Sequence, residues 1–573
     1  MCDHMSIQSL FENAHQLQQK GELLQAINLY EQLLIQDPNH VEALRFSGLA
    51  HAQQGDMPHA VAHWTHALDL QPNDANLHTN LANAYNALKD HDKAIQHYQQ
   101  ALLLEPNYAQ AHNNLANIYM LQNHYPQALN HYRAAVHAQP DFTQAHYNLG
   151  LLLLKHHELD AAKKQFSNVL TLQPNHVDAQ FYLGVLHLND DLLDEAEQAF
   201  QNVLTSQDEH VFSLTNLGVI ALKREQGQIA IDYFTRALAF DPNNIEARNN
   251  IAATFIHHDR HENALTHYDV LLKQDPDNIE YLYNSGVAQM ALGHLKEAIA
   301  HFETILMHDS QHFAALNNLA AIQMRLGHRS KAIILLQRAT AANPKDTACQ
   351  FMLHALTGDE KHPKPCADYV SNLFNNYALY YDQHMQGSLK YTLPFSIMRA
   401  LHTLGYIHFK HTMDLGCGTG LSGVVLRESS EHLTGLDIAA KMLEQAREKA
   451  VYDTLIEAEL LGHLQTHQQQ YDLIVAADVL PYSGDLQPLF EIIKQRLTPQ
   501  GLFVFSSEIS PDEPWILQDS ARFCHHPDYI QGLCKSHHLE LLHQDKLVAR
   551  QQDQQDLYVN LYIVKTGSPI HHQ

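Results

Sequence analysis

Between Met5 and Pro344 the apolar and small residues recur every 34 positions without an insertion, a period that suits a pair of helices and exceeds a single one. Pro38, Pro72, Pro106, Pro140, Pro174, Pro242, Pro276 and Pro344 mark this ruler, with Asp208 and Ser310 in the two remaining places, which gives ten repeats. Twelve residues before each mark stands alanine, from Ala26 and Ala60 to Ala298 and Ala332. A second column is always Gly or Ala (Ala14, Gly48, Ala82 and onward to Ala320), and a third is aromatic from Tyr30 and Trp64 to Phe302, with Leu336 the exception. Small residues on both helices let an antiparallel pair approach closely, the aromatic fills the gap to the next pair, and proline ends the second helix. One such hairpin cannot bury its apolar face alone, so the units must stack.

These columns closely resemble the tetratricopeptide repeat family. The resemblance implies an all-α superhelix over residues 5–344 with a concave groove that takes a protein or peptide partner, and a capping helix over 345–360. Asn80, Asn114, Asn148, Asn216, Asn250, Asn284 and Asn318 share one repeat position, and a row of amides can both donate to and accept from an extended peptide backbone. The row is similar to the asparagine ladder of nucleocytoplasmic O-linked glucosaminyltransferases, although asparagine is also simply common at this position of the repeat. Histidine enters a column as well: His63, His97, His131, His267 and His301 each precede the aromatic, and a regular stack places them in a line on the solvent side, where a charge switch between pH 6 and 8 is testable. His59, His63 and His66 have the i, i+4, i+7 spacing of a metal site, but with no carboxylate or cysteine in view no metal is assigned.

Beyond Pro344 the ruler stops, and Gly358 to Pro365 reads as a linker. The pattern then alternates: a strand at 412–415, a glycine loop at 416–420, a helix at 421–429, a strand in HLTGLDI, a helix in AAKMLEQAREKA, strands in TLIEAEL and YDLIVAADVL, a helix in DLQPLFEIIKQRL and a strand in GLFVFSSE. Strands separated by helices predict an α/β doubly wound sheet, whose ligands bind at the carboxyl ends of the strands. Asp414-Leu-Gly416-Cys417-Gly418-Thr-Gly420 lies there, and Asp437 follows 21 residues after Gly416, at the end of the next strand, where a carboxylate can accept from ribose hydroxyls. The spacing GxGxG differs from the dinucleotide fingerprint GxGxxG.

With Asp414 before it, this loop resembles motif I of class I S-adenosylmethionine-dependent methyltransferases, a Rossmann-like fold. The resemblance covers residues 367–565. It implies S-adenosylmethionine as cofactor, held by Asp414, Gly416, Cys417, Gly418, Gly420, Asp437, Ile438, Glu459, Leu460 and Ala477, with Asp414 and the loop on the methionine end and Glu459 at the adenine. Asp472 to Asp478 matches the fourth-strand motif. Leu497-Thr-Pro-Gln-Gly501 matches the turn before strand five, with Gln500 where the first glycine of that turn stands. Closer still is a proteobacterial family of predicted methyltransferases with tetratricopeptide repeats, which shares YVSNLFNNYALYYDQHM and ARFCHHPDYI; the residue after Phe374 is usually acidic there and is Asn375 here. Candidate catalytic residues are Asp478, Tyr482, Tyr381 and His384, with Tyr377 and Asp382 beside them, and His525 and Arg522 as binders of an anionic acceptor. Ala477-Asp-Val-Leu-Pro-Tyr482 replaces the Asn-Pro-Pro-Tyr of amide and adenine N-methylation.

Charge then distributes unevenly. The 573 residues hold 36 Lys and Arg against 63 Asp and Glu, a formal charge of −27, and 45 histidines whose full protonation would bring it to +18. Residues 361–573 carry −8, so the repeat half carries −19 and thirty of the histidines. This acidity opposes nucleic acid and anionic membranes as partners and suits basic or neutral ones. The six scattered cysteines contain no CxxC, and no leader or spanning run is visible, so a cytoplasmic location is expected. The organisation expected is ten repeats over 5–344, a capping helix over 345–360, a linker and lead-in segment over the active site at 361–392, a methyltransferase domain at 393–566 and a tail at 567–573. Two functions fit: an enzyme that methylates an unidentified protein or small molecule while its repeats recruit or localise it, or an interaction scaffold whose domain binds S-adenosylmethionine without catalysis.

Overall fold

The computed structural model describes residues 6–359, 363–552 and 555–567. Cys2, Met5, the linker residues 360–362 and the tail from 568 lie outside the described residues. The chain divides into two compact units between His267 and Tyr268, within the helix His261–Gln274.

The first unit is built of antiparallel helix pairs, beginning with Ile7–Gln19 and Leu23–Gln36, then Val41–Gln53 and Met57–Leu70, each first helix of 13 residues and each second of 14. The pairs continue into the second unit as far as Phe313–Arg325 and Arg329–Ala342. All ten alanines of the second-helix column are fully buried. The other two columns are coupled residue by residue. Gly48, Gly150, Gly184, Gly218 and Gly286 each face Trp or Phe sixteen positions on, and a Cβ added at Gly218 would sit 2.4 Å from Phe234 Cε1. Where the column holds Ala14, Ala82, Ala116 or Ala252, the partner is tyrosine. The hydroxyls of Tyr98 and Tyr132 bond to Asn83 and Asn117, and that of Tyr30 to Gln18 at 3.0 Å, an anchor that phenylalanine lacks.

The histidine column does not lie on the solvent side as expected. His63, His97, His131, His267 and His301 are half-buried and turn inward against the first helix of their own hairpin. The Nδ1 atoms of His78 and His97 are 3.0 Å apart, those of His112 and His131 2.9 Å; His267 meets Arg248, and His301 meets Ser285. The column precedes a buried aromatic by one residue, and one residue turns a helix by only about 100°. Burial pushes the His131 imidazole down to about 4 and moves His97, His267 and His301 the same way, which opposes a switch between pH 6 and 8 there.

In the second unit the helix Thr347–Thr357 places Phe351 and Ala355 against Cys366, Ala521 and Phe523, and Arg329 meets Asp519 at 2.8 Å. Helix α1 (Ala367–Gln383) runs into a π-helical turn at His384–Ser388, followed by α2 (Leu393–Thr403). The sheet is formed by β1 (Phe409–Leu415), β2 (Ser430–Asp437), β3 (Thr454–Glu457), β4 (Tyr471–Ala476), β5 (Leu497–Glu508), β8 (Leu539–Gln552) and β9 (Gln555–Thr566) in the order β3-β2-β1-β4-β5-β9-β8. Strands β1 to β5 are parallel and β9 is antiparallel to β5. Two short strands, β6 (Trp515–Leu517) and β7 (Phe523–His525), pair separately. Met413, Leu415, Ile474, Ala476, Phe503 and Phe505 pack into the core on one face; Leu433, Leu473, Val475, Leu502 and Val504 pack into that on the other. Between the strands lie α3 (Leu421–Leu426), α4 (Ala440–Glu448), α5 (Leu460–Thr466), α6 (Gln487–Arg496) and α7 (Pro527–Ser536). The strand expected through TLIEAEL stops at Glu457 because Glu459 caps α5, accepting from Leu461 N and Gly462 N. β5 begins at Leu497, earlier than expected, and Gln500 there takes φ +71, the left-handed conformation that glycine supplies in the matching motif.

Two outcomes follow for the array. Gly218→Ala gains helix propensity worth about 1 kcal/mol but drives its methyl group into Phe234; we expect a net loss within the roughly 1–3 kcal/mol of overpacking, read from urea unfolding of the full chain. His131 binds protons more weakly folded than unfolded, where its value is 6.5; its stabilising contribution is therefore complete above that pH and is lost as pH falls toward 4. Melting temperature should decline across that window, less steeply in His131→Phe, and an NMR titration should find the imidazole neutral at pH 6.

Candidate active site

At the carboxyl end of β1 the chain must leave the sheet within a few residues and turn back into a helix. Gly416, Gly418 and Gly420 do this with φ values of +63, +54 and +92. A Cβ on Gly416 would lie 2.4 Å from Val479 Cγ2, so the segment after β4 and the loop approach as closely as they do only because this residue is glycine. A Cβ on Gly418 would meet nothing within 4 Å, and Gly418 lines a cavity of about 1120 Å³. Asp437, the last residue of β2 and also on the cavity wall, is nearly buried; its two oxygens accept from Gly418 N and Ala439 N, each at 2.8 Å. Burial raises its pKa, and those backbone hydrogen bonds oppose the rise. Each oxygen retains acceptor capacity toward the cavity.

Of the residues expected to hold a cofactor, Gly416, Gly418, Asp437, Ile438, Glu459, Leu460 and Ala477 line this cavity. Asp414, Cys417 and Gly420 are not among its lining residues. Asp414 is buried and accepts from the Tyr452 hydroxyl at 2.7 Å, and burial pushes its carboxyl up to about 7. Cys417 donates its amide to Leu436 O, and Gly420 caps α3.

Helix α1 packs over the loop. Phe374, Tyr377, Ala378 and Tyr381 form a small core with Ala439 and Met442. Asn375 Oδ1 accepts from Lys441 N at 3.0 Å, which gives this side chain a capping role at the start of α4 that needs no charge. Asp382 bonds the Thr419 hydroxyl and meets Lys449 Nζ at 2.6 Å, while Lys449 reaches Thr419 O at 2.6 Å. Asp382 is thus a clasp between α1, the glycine loop and α4.

The opposite wall is a closed charge network. Asp478, with φ +58, has one oxygen on Arg522 at 2.6 Å and the other on Arg550 at 2.5 Å. Arg522 also meets Glu508 and the Tyr482 hydroxyl, each at 2.6 Å, and lies 5.0 Å over the Tyr482 ring. Two carboxylates neutralise two guanidiniums. Burial raises the pKa of Tyr482, holds Tyr381 well above the usual phenol range and pushes Tyr377 up to about 12. His384, exposed on the π-helical turn, lines the cavity and hydrogen-bonds the Tyr377 hydroxyl through Nδ1. The expectation that His525 binds an anion is corrected: it is buried, Nε2 lies 2.8 Å from Gly484 O and Nδ1 2.9 Å from Ser507 Oγ, and burial pushes it down to about 4. Arg550 sits on the late strand β8, between Leu547-Val-Ala549 and Gln551-Gln-Asp553, with no motif around it and no sequence signal that sets it apart.

In the array, all seven row asparagines are half-buried on first helices. Asn114 Nδ2 donates to Asn83 Oδ1 at 3.0 Å, Asn148 Nδ2 to Asn113 Oδ1 at 2.9 Å, and Asn216 Nδ2 to Phe212 O at 2.8 Å, so part of the row is engaged within the protein.

Comparison with known proteins agrees with both halves. Residues 409–560 match the model of a methyltransferase domain, 289–356 that of a tetratricopeptide repeat, and 4–278 that of the cilia and flagella-associated protein 70 C-terminal domain. The ubiquinone biosynthesis O-methyltransferase of Photorhabdus laumondii is 25% identical over 128 residues, 22% of this chain and 53% of that protein. That of Hydrogenovibrio crunogenus is 31% identical over 107 residues, 18% and 44%. The chain spans about half the length of these curated relatives. Among solved structures, YrrB, described as a TPR protein with an unusual peptide-binding site, is 26% identical with a TM-score of 0.31, covering 32% of this chain and 95% of that one. Among the described residues no helix is long and apolar enough to cross a membrane.

Asp478→Ala leaves two buried guanidiniums facing one carboxylate. We expect about 3–5 kcal/mol of destabilisation, seen in urea unfolding, with part of it recovered in Asp478→Ala/Arg550→Met.

Proposed function

We propose that this fusion of tetratricopeptide repeats to a methyltransferase domain is a class I, S-adenosylmethionine-dependent O-methyltransferase acting on a phenolic hydroxyl. The observation that carries the reading is the cavity at the ends of β1, β2 and β4. Its roughly 1120 Å³ exceeds the range of about 300–1,000 Å³ usual for one ligand and leaves room for a cofactor and an acceptor together. The donor set suits the cofactor: Gly418 presents an open Cα to the cavity, Asp437 offers buried acceptors to ribose hydroxyls, and Ile438, Leu460 and Ala477 supply apolar wall for an adenine. Glu459 stands beside them. When bound, S-adenosylmethionine supplies a methyl carbon activated by a sulfonium.

For the acceptor, the inner wall favours an aromatic ring over a carboxylate. Arg522 and Arg550 there are already matched by Asp478 and Glu508, and the other lining lysines, Lys364 and Lys390, are exposed. Phe374, Tyr377, Tyr381 and Tyr482 instead provide flat aromatic surface, with Phe374 and Tyr482 edge to face at 5.2 Å. The O-methyltransferase names of the relatives point the same way. In-line displacement depends on alignment and desolvation, and needs one group to take the hydroxyl proton. Asp478 is held by two arginines, and the tyrosines are protonated at neutral pH. His384 fills the role: in the tautomer whose Nδ1–H donates to the Tyr377 oxygen, Nε2 keeps a lone pair for the acceptor's proton. Asp478 and Tyr482 then shape the wall, and Tyr381 packs the acceptor side.

The array, on this reading, binds a basic or neutral protein segment in its groove and brings the enzyme to it in the cytoplasm; the −19 charge of its half supports this.

With a catechol as probe acceptor, His384→Ala should lower kcat about 10²- to 10⁴-fold while leaving S-adenosylmethionine affinity near that of the wild type. Unchanged turnover would remove His384 as base. Cofactor binding without turnover of any phenol would favour the scaffold reading.

A further inference from the structure

We propose that His51, Asp56 and His59 form a binding site for a divalent transition-metal ion that braces the second hairpin of the array. His51 lies in the last turn of the helix Val41–Gln53; Asp56 caps the helix Met57–Leu70, accepting from His59 N at 3.3 Å; and His59 is in the first turn of that helix. Both imidazoles converge on one oxygen: Asp56 Oδ2 is 2.7 Å from His59 Nδ1 and 3.4 Å from His51 Nδ1. One ligand atom from each of the three residues lies within 4.8 Å of the others. Bonds of about 2.0–2.2 Å in a tetrahedral site separate ligand atoms by about 3.3–3.6 Å; to reach this the exposed His59 must turn off the His51 ring, on which it now stacks at 5.1 Å, while His51 stays in place.

A second observation points to a ligand. His51 is 6% exposed, yet neither of its ring nitrogens makes a hydrogen bond. Buried polar groups in this condition are uncommon and costly, and a metal ion would satisfy the nitrogen that faces Asp56. Two imidazoles with a carboxylate are the donor set of Zn²⁺, Co²⁺, Ni²⁺ and Cu²⁺. His59 is 67% exposed and Asp56 36%, so an ion has a path in from solvent. His63, one turn beyond His59, stacks on the His51 ring at 5.4 Å and holds it in place. The triple His59, His63 and His66 is not the site, for His66 turns away to Asn39 Oδ1 at 3.1 Å. Such an ion would tie the end of one helix to the start of the next, across a turn that Gly55 makes with φ +85.

The competing account is a carboxylate shared by two imidazoles with no ion. Full-length protein freed of metal by a chelator is titrated with Co²⁺ and followed by its visible absorption, with Zn²⁺ as competitor; because the chain holds 45 histidines, stoichiometry is compared between variants. The proposal expects one equivalent in the wild type and in His66→Gln, weakened at least about tenfold in His59→Gln and in Asp56→Asn, and a Zn²⁺-dependent rise in melting temperature that His59→Gln abolishes. Failure of the wild type to bind Co²⁺, or the same equivalent retained in His59→Gln, overturns it.

Discussion

A buried carboxylate at the end of β2 sets the geometry of the candidate active site. Asp437 accepts from the amides of Gly418 and Ala439, and so fixes the glycine loop after β1 relative to the start of α4. Burial would drive that group toward protonation, and the backbone hydrogen bonds oppose the shift. The lid depends on the same frame. Asn375 caps the helix that Asp437 orients, and Asp382 and Lys449 close on Thr419 between Gly418 and Gly420. Loop, strand end and lid therefore form one hydrogen-bonded body, and the cavity is the space they enclose with the Asp478 wall.

The wall opposite shows several reactive residue types in one place engaged with one another. Asp478, Arg522, Glu508 and Arg550 satisfy one another, and buried pairs of this kind rigidify more than they stabilise. Both Asp478 oxygens are engaged by guanidiniums, which moves the proposed proton acceptor from the strand to the π-helical turn that presents His384. Irregular turns of this sort re-aim a side chain without interrupting the helix before it.

The two halves were legible in the sequence to different depths. In the array, the period and the small-residue columns translate directly into packing, since each repeat must bury the same face against its neighbour. The coupling of Gly with Phe or Trp, and of Ala with Tyr, was also written there, at a fixed distance of sixteen. The inward turn of the column histidines was not, because helical period alone leaves a residue beside a buried aromatic on either side of the packing seam. In the methyltransferase domain, the loop and Asp437 stood out because the motif encodes backbone shape and a hydrogen-bond acceptor at fixed spacing. Arg550, Lys449 and the capping role of Asn375 did not, since each rests on a partner distant in sequence: Arg550 on Asp478, Asn375 on Lys441 N and Lys449 on Asp382. The helix Leu460–Thr466 was hidden by apolar residues that read equally as strand, until the cap at Glu459 decided the matter.

The central claim is that the Asp437 frame binds S-adenosylmethionine, and calorimetric titration of the cofactor onto the full chain and onto Asp437→Ala tests it most directly. Two hydrogen bonds to a charged acceptor are worth about 1.5–3 kcal/mol each, so the account predicts saturable one-to-one binding by the wild type and at least a hundredfold weaker binding by the variant, with the variant's circular dichroism unchanged. No binding by the wild type, or equal affinity in the two proteins, would contradict it.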